Sequence, residues 1–257
     1  MSQLRLVAER FALDGKIESI VPLGEGHINA TFTVTTGSGG TRRRYVLQRI
    51  NRGVFPDPEA VIRNVERVTG HVRSKVLDEG GDPDREVLRL LRTVDGGAFH
   101  RDVEGEVWRC CAMIEGASAH TALAEPARVR AVAGAFGRFL RRLSDYPADR
   151  LEITLPGFHD TGYHLQTLRD AVGADPFDRL FEVGEELAFI EEREDAVSAW
   201  TDLLSSGELP RRVVHNDTKV NNVLIDDDSR RGICVIDLDT VMAGSAVTDV
   251  GDLARSA

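Results

Sequence analysis

The residues of this chain best suited to chemistry sit in one short run, Val213-Val214-His215-Asn216-Asp217-Thr218-Lys219-Val220-Asn221-Asn222-Val223-Leu224-Ile225. Aliphatic residues flank the polar ones on both sides, so the run reads as a loop between two buried strands. An ordinary turn needs Gly, Pro or a single Asn or Asp. This one packs His215, Asp217, Lys219, Asn221 and Asn222 together, and the next strand ends in Ile236-Asp237-Leu238-Asp239. Carboxylates drawn away from water are costly unless a cation meets them. Asp217, Asp237 and Asp239 converging near the asparagines point to a hard cation with oxygen ligands, and Mg²⁺ is the expectation.

The spacing His215-x-Asp217-x-x-x-x-Asn222, with Ile236-Asp237 on the following strand, resembles the catalytic loop and metal-binding Asp of the kinase fold. The short linker and the Ile-Asp-x-Asp form resemble the aminoglycoside phosphotransferase and choline kinase superfamily more than the protein kinases. The fuller strings, residues 215–224 and 234–242, are similar to the N-acetylhexosamine 1-kinases, which phosphorylate the anomeric hydroxyl of N-acetylglucosamine or N-acetylgalactosamine. Residues 45–51, 80–83, 156–159 and Asp249-x-Gly251-Asp252 agree with that family, so the resemblance spans almost the whole chain. It implies an α+β, protein-kinase-like fold of two lobes. Residues 1–113 would form a β-rich nucleotide-binding lobe with one helix. Residues 114–257 would form a mainly helical lobe carrying the catalytic β-hairpin. Family members continue for several helices past this point, which implies an incomplete second lobe, an exposed apolar face and weak or no turnover for the 257 residues alone.

The resemblance also implies roles. Asp217 would accept or orient the proton of the attacking hydroxyl, and Lys219 would meet charge on the transferring γ-phosphoryl group. Asn222 and Asp237 would hold Mg²⁺ on the phosphates of ATP. Asp239 would be either a further metal ligand or an acid behind the ligands. His215 would brace the loop.

At the nucleotide end, Gly24 and Gly26 lie in a turn between two strands and let backbone N–H groups approach phosphate oxygens. The resemblance to the sugar kinases implies that His27 and Asn29 in the same turn would reach a sugar hydroxyl. The kinase fold carries a Lys on the next strand, and here Gln48 stands at that position with Arg49 beside it. Alternation sends those two side chains to opposite faces. The phosphate-binding group is therefore open among Arg49, Arg44 and a Gln48 that only hydrogen-bonds. Glu66 is the candidate for the helix acid that would partner it. Met113 and Glu115 fall at the hinge, whose backbone would bond adenine.

The elements follow from pattern. Residues 17–21, 30–35 and 44–50 read as strands. Val61, Val65, Val68, Val72 and Val76 recur at helical spacing. Residues 86–93 and 107–114 read as a strand pair. Val129, Val132, Phe136, Phe139, Leu140 and Leu143 suit one helix face, and residues 161–172 a second helix. A single long helix is expected from Leu180 to Leu203. Short strands return at 212–214, 222–225 and 232–236.

Composition bounds the rest. The 257 residues carry a formal charge of −10, with 42% hydrophobic and 29% charged residues. An acidic chain repels phosphate backbones, so no nucleic-acid partner is expected. No apolar run reaches membrane-spanning length, and no secretory signal is visible at the start. The 3 cysteines, two of them adjacent, make neither a disulfide framework nor a zinc site. A reduced, cytoplasmic monomer or dimer acting on a small-molecule sugar with ATP and Mg²⁺ is the expectation. The rival acceptors are aminoglycoside, choline, homoserine and methylthioribose, and the rival class is a nucleotide-binding pseudokinase.

Overall fold

The computed structural model describes residues 3–24, 28–120 and 125–256. A short helix, α1 (Gln3–Ala8), leads into three strands, β1 (Lys16–Pro22), β2 (Ala30–Ser38) and β3 (Thr41–Arg49). Helices α2 (Pro58–Asp78) and α3 (Pro83–Glu86) follow, then β4 (His100–Arg101), β5 (Val107–Ala112) and β6 (Ala117–Ser118). Four helices come next: α4 (Pro126–Arg142), α5 (Thr161–Ala174), α6 (Gly184–Glu191) and α7 (Glu194–Ser205). The chain returns to strands at β7 (Arg212–Val214), β8 (Val223–Asp226), β9 (Gly232–Val235) and β10 (Met242–Gly244), and α8 (Ala246–Ser256) follows. The first five strands form one antiparallel sheet in the order β1-β2-β3-β5-β4. This is the expected α+β, kinase-like fold.

Helix α2 starts where Asp57 accepts hydrogen bonds from the N–H groups of Glu59 and Ala60 and Pro58 takes the first turn. Its valine stripe is buried as its spacing demands. Val65, Val68, Val72 and Val76 pack in one core with Val132, Phe136 and Phe139 of α4 and with Val213, Val223, Ile225, Val235, Leu238 and Val241. The strands that frame the polar loop are thus anchored on two helices. Gly232 permits the closest approach: a Cβ there would lie 2.4 Å from the Ala131 carbonyl oxygen on α4.

Three expectations need correction. Residues 86–93 are not a strand: Asp82 caps and Pro83 opens the short α3, and beyond it only isolated bridges pair Leu90 with Cys111 and Thr93 with Phe11. The long helix from 180 to 203 is broken into a short turn, α6 and α7. Arg193 donates to the Phe189 carbonyl at the end of α6, and Glu194 and Asp195 open α7. A cation at a helix C-terminus beside acids at an N-terminus suits two dipoles better than one continuous helix. The strand expected at 107–114 stops at Ala112.

The residues pack as two units, Met1–Leu155 with Arg212–Ala257, and Pro156–Arg211. In the second unit α5, α6 and α7 hold no fully buried residue, and Phe177, Phe181 and Phe189 are exposed. No helix among the described residues is long and apolar enough to cross a membrane.

Candidate active site

The polar loop leaves β7 at Val214 and returns through β8, while β10 pairs antiparallel with β7, Met242 opposite Val214. His215 is buried between the rings of Phe136 and Phe139, at centroid distances of 5.4 and 6.0 Å. The Asp217 N–H donates to its Nδ1 at 3.2 Å, so Nδ1 is an acceptor and Nε2 carries the hydrogen donated to the Ile236 carbonyl at 2.9 Å. One neutral imidazole therefore ties the loop to the strand that delivers Asp237.

The backbone of the loop is held from α8. The buried Asp249 carboxylate accepts from the N–H groups of His215 and Asn216, both at 2.8 Å. Thr218 Oγ1 donates to the Asp249 carbonyl at 2.6 Å. Asn216 takes a left-handed conformation at φ 65°, and its Nδ2 donates to the Thr240 carbonyl at 2.9 Å. Asp217 emerges from this frame with Lys219 Nζ 2.7 Å from Oδ1. Asn222 Nδ2 donates to the Asp217 carbonyl at 2.8 Å and to Oδ2 at 3.1 Å.

Asp237 follows β9 in a left-handed conformation, φ 58°, which is unfavourable for a side chain with a Cβ. Asp237 is exposed to solvent, although nearby protein partly desolvates its carboxyl. That surrounding protein and the charge of Asp239 push its carboxyl up to about 6, against the pull of Arg109, and solvent access tempers the shift. Asp239 is buried. Its Oδ2 accepts from Asn29 Nδ2 at 2.6 Å. Its Oδ1 forms a buried ion pair with Arg109 Nη1.

Arg109 is the residue that sequence reasoning missed. It lies on β5 opposite Gln48 of β3, and Gln48 Oε1 accepts from its Nε and Nη2 at 3.0 and 2.9 Å. The available signal was a charged residue inside the otherwise apolar Val107-Trp108-Arg109-Cys110-Cys111-Ala112.

The other nominated residues divide. Gln48 faces the acid cluster through Arg109. Arg49 is on the opposite face, exposed, 6.0 Å from the Trp108 ring centroid and 4.0 Å from Glu106. Arg44 pairs with Glu115 at the surface, and Glu66 pairs with Arg92 rather than with β3. Neither arginine comes to the acids, because β-alternation and these local partners direct them elsewhere. The Met113 N–H donates to the Arg44 carbonyl, and the Glu115 carbonyl accepts from Arg85. Asn29, expected to reach a sugar, instead has Nδ2 on Asp239 and Oδ1 on the Asn51 N–H at 2.9 Å. Gly24 adopts φ 69° with open space beside it, as a glycine turn requires. Gly26 and His27 lie outside the described residues.

The donor set fits a magnesium nucleotide better than a structural metal. Its donors are carboxylates and an amide, and acid charge is crowded. Among the described residues no three His, Cys, Asp or Glu side chains are close enough to hold a metal by themselves. Mg²⁺ needs only one or two protein carboxylates when phosphate oxygens and water complete its octahedron.

Solved structures share the fold. The chain is similar to an aminoglycoside phosphotransferase from Alicyclobacillus acidocaldarius, with TM-score 0.65 and 18% identity over 98% of this chain and 70% of that one. It is also similar to aminoglycoside phosphotransferase APH(3'')-Id from Streptomyces rimosus, solved with ADP and streptomycin (TM-score 0.57, 19% identity, 100% and 84% covered). The macrolide 2'-phosphotransferase from Brachybacterium faecium gives TM-score 0.53 at 15% identity, with 98% and 76% covered. Residues 19–257 match the family described as "Phosphotransferase enzyme family" (APH). With its sheet, its hairpin and nearly its whole length accounted for by that match, the chain belongs to this phosphotransferase family.

Proposed function

We propose that the protein is an ATP- and Mg²⁺-dependent small-molecule kinase acting on a sugar hydroxyl, with the anomeric hydroxyl of N-acetylglucosamine or N-acetylgalactosamine as acceptor. Residues 1–113 serve as the nucleotide lobe and 114–257 as the lobe carrying the catalytic loop, in a cytoplasmic protein. The observation that carries the reading is the Asp217 carboxylate, held between Lys219 and Asn222 beside the Asp237–Asp239 turn. When bound, the magnesium nucleotide supplies the transferable γ-phosphoryl group and the metal's charge.

The residues then divide the work. Asp217 accepts the proton of the acceptor hydroxyl as the oxygen attacks in line. Its partner Lys219, exposed at its far end, moves toward negative charge developing on the transferred group. Asn222 and Asp237 would hold the metal, with Asp239 behind Asp237. Catalysis is positioning and charge stabilisation, with no covalent protein intermediate.

The string similarity at residues 215–242 supports the hexosamine. The charge of −10 favours a cationic aminoglycoside, which is the second reading. A panel of N-acetylhexosamines, aminoglycosides, choline, homoserine and methylthioribose, assayed for ADP release with ³¹P detection of the product, tests the proposal. A sugar 1-phosphate is expected. Exclusive phosphorylation of an aminoglycoside would move the assignment to the second reading.

A further inference from the structure

Arg109 has a use that its surroundings do not exhaust. Its side chain is 5% exposed, in the middle of a sheet. Burying a guanidinium costs several kcal/mol unless partners compensate, and an apolar residue commonly serves stability better. Here the compensation is elaborate. Thr31 on β2 accepts from Gln48 Nε2 at 3.1 Å, and Gln48 on β3 in turn accepts the Nε and Nη2 hydrogens of Arg109. Three adjacent strands thus aim one guanidinium at Asp239.

The guanidinium has five N–H donors in a fixed fork. Gln48 engages one on Nε and one on Nη2, and Asp239 faces Nη1. Donors therefore remain on both terminal nitrogens. The buried ion pair with Asp239 occupies one side of Nη1 and leaves its second hydrogen. Asp237 also lies within the field of Arg109. The other basic candidates face elsewhere: Arg49 toward Glu106 and Arg44 toward Glu115. Gln48 itself is neutral. A planar fork with spare donors beside these acids matches phosphate oxygens, and Lys219, the other cation near them, is paired with Asp217.

We propose that Arg109 is the cation that binds the nucleotide's phosphates, delivered from β5, with Gln48 as its positioning residue. This rests on the kinase reading above, and the test separates the two. Affinities of the full chain for ADP and adenosine are measured by calorimetry with EDTA present, so that no metal contributes. The wild-type protein is expected to prefer ADP. Arg109→Gln is expected to weaken ADP about ten- to a hundredfold while leaving adenosine within about twofold, the loss of charge-assisted hydrogen bonds. Gln48→Leu keeps the cation and removes the acceptor that aims it. It is expected to weaken ADP about three- to tenfold with adenosine unchanged. A purely structural Arg109 would shift both ligands together. An ADP-to-adenosine ratio unchanged in Arg109→Gln, or in Gln48→Leu should the first variant not fold, overturns the role of Arg109 and leaves the kinase reading standing. A wild-type protein with no preference for ADP overturns both.

Discussion

Asn29 and Asp239 stand 210 positions apart in the chain and meet in a buried hydrogen bond of 2.6 Å. The amide comes from the residue just before β2. The carboxylate comes from the turn after β9. One contact therefore joins the five-stranded sheet to the β8–β9 hairpin, and it is made by an acid whose other oxygen faces Arg109.

Removing the amide should loosen that joint. Asn29→Ala is expected to lose about 2 kcal/mol of stability, as for a hydrogen bond to a buried charge. Asn29→Asp should lose more, by setting a like charge against Asp239. Urea unfolding midpoints measure both, and an Asn29→Asp variant as stable as wild type would contradict the contact.

Asp249 holds two backbone N–H groups of the loop at once. Asp249→Ala leaves both buried donors without their acceptor and is expected to cost about 3 kcal/mol. Hydrogen exchange at the His215 and Asn216 amides reads the same change locally. Faster exchange at these amides, beyond that of the whole chain, is the expected result.

At Gly232, an added methyl group has no room against the Ala131 carbonyl. Backbone cannot yield as a side-chain tip does. Gly232→Ala is expected to lose about 1–3 kcal/mol by overpacking between β9 and α4. Thermal unfolding at matched concentration checks it, and an unchanged midpoint would place β9 farther from α4.

Asp226 gives the stability a defined acid limb. The Ser229 N–H and hydroxyl, with Arg85, hold its carboxyl down at about 2. Its folded value is thus below the unfolded value near 3.9. The stabilisation is fully present above about pH 4 and disappears as pH falls through about 2. Asp226→Asn should therefore be less stable than wild type at pH 6 and converge with it near pH 2. A stability gap that stays constant across that range would exclude the linkage.

Much of the architecture was legible because periodicity is local. The valines of α2 and the strands 30–35 and 44–50 announce their buried faces by spacing alone. The loop from His215 to Asn222 was legible for another reason: so many polar groups between aliphatic runs need partners. Arg109 was not read, although it interrupts an apolar strand, because its meaning depends on register. Only the pairing of β3 with β5 puts Arg109 opposite Gln48 across 61 positions. The bond from Asn29 to Asp239 was not read for the same reason, its partner being far away in the chain. The break at Arg193 was visible as a charge reversal, but the hydrophobic spacing of residues 180–203 ran straight through it.

The account stands most directly on Asp217. Asp217→Asn keeps the shape of the side chain and removes its ability to take a proton. ADP release with N-acetylglucosamine and N-acetylgalactosamine should fall roughly a hundred- to ten-thousandfold, while ADP affinity stays within about twofold of wild type. Turnover that survives the substitution within about threefold, against the loss a proton-accepting role requires, would contradict the assignment of Asp217 as the base.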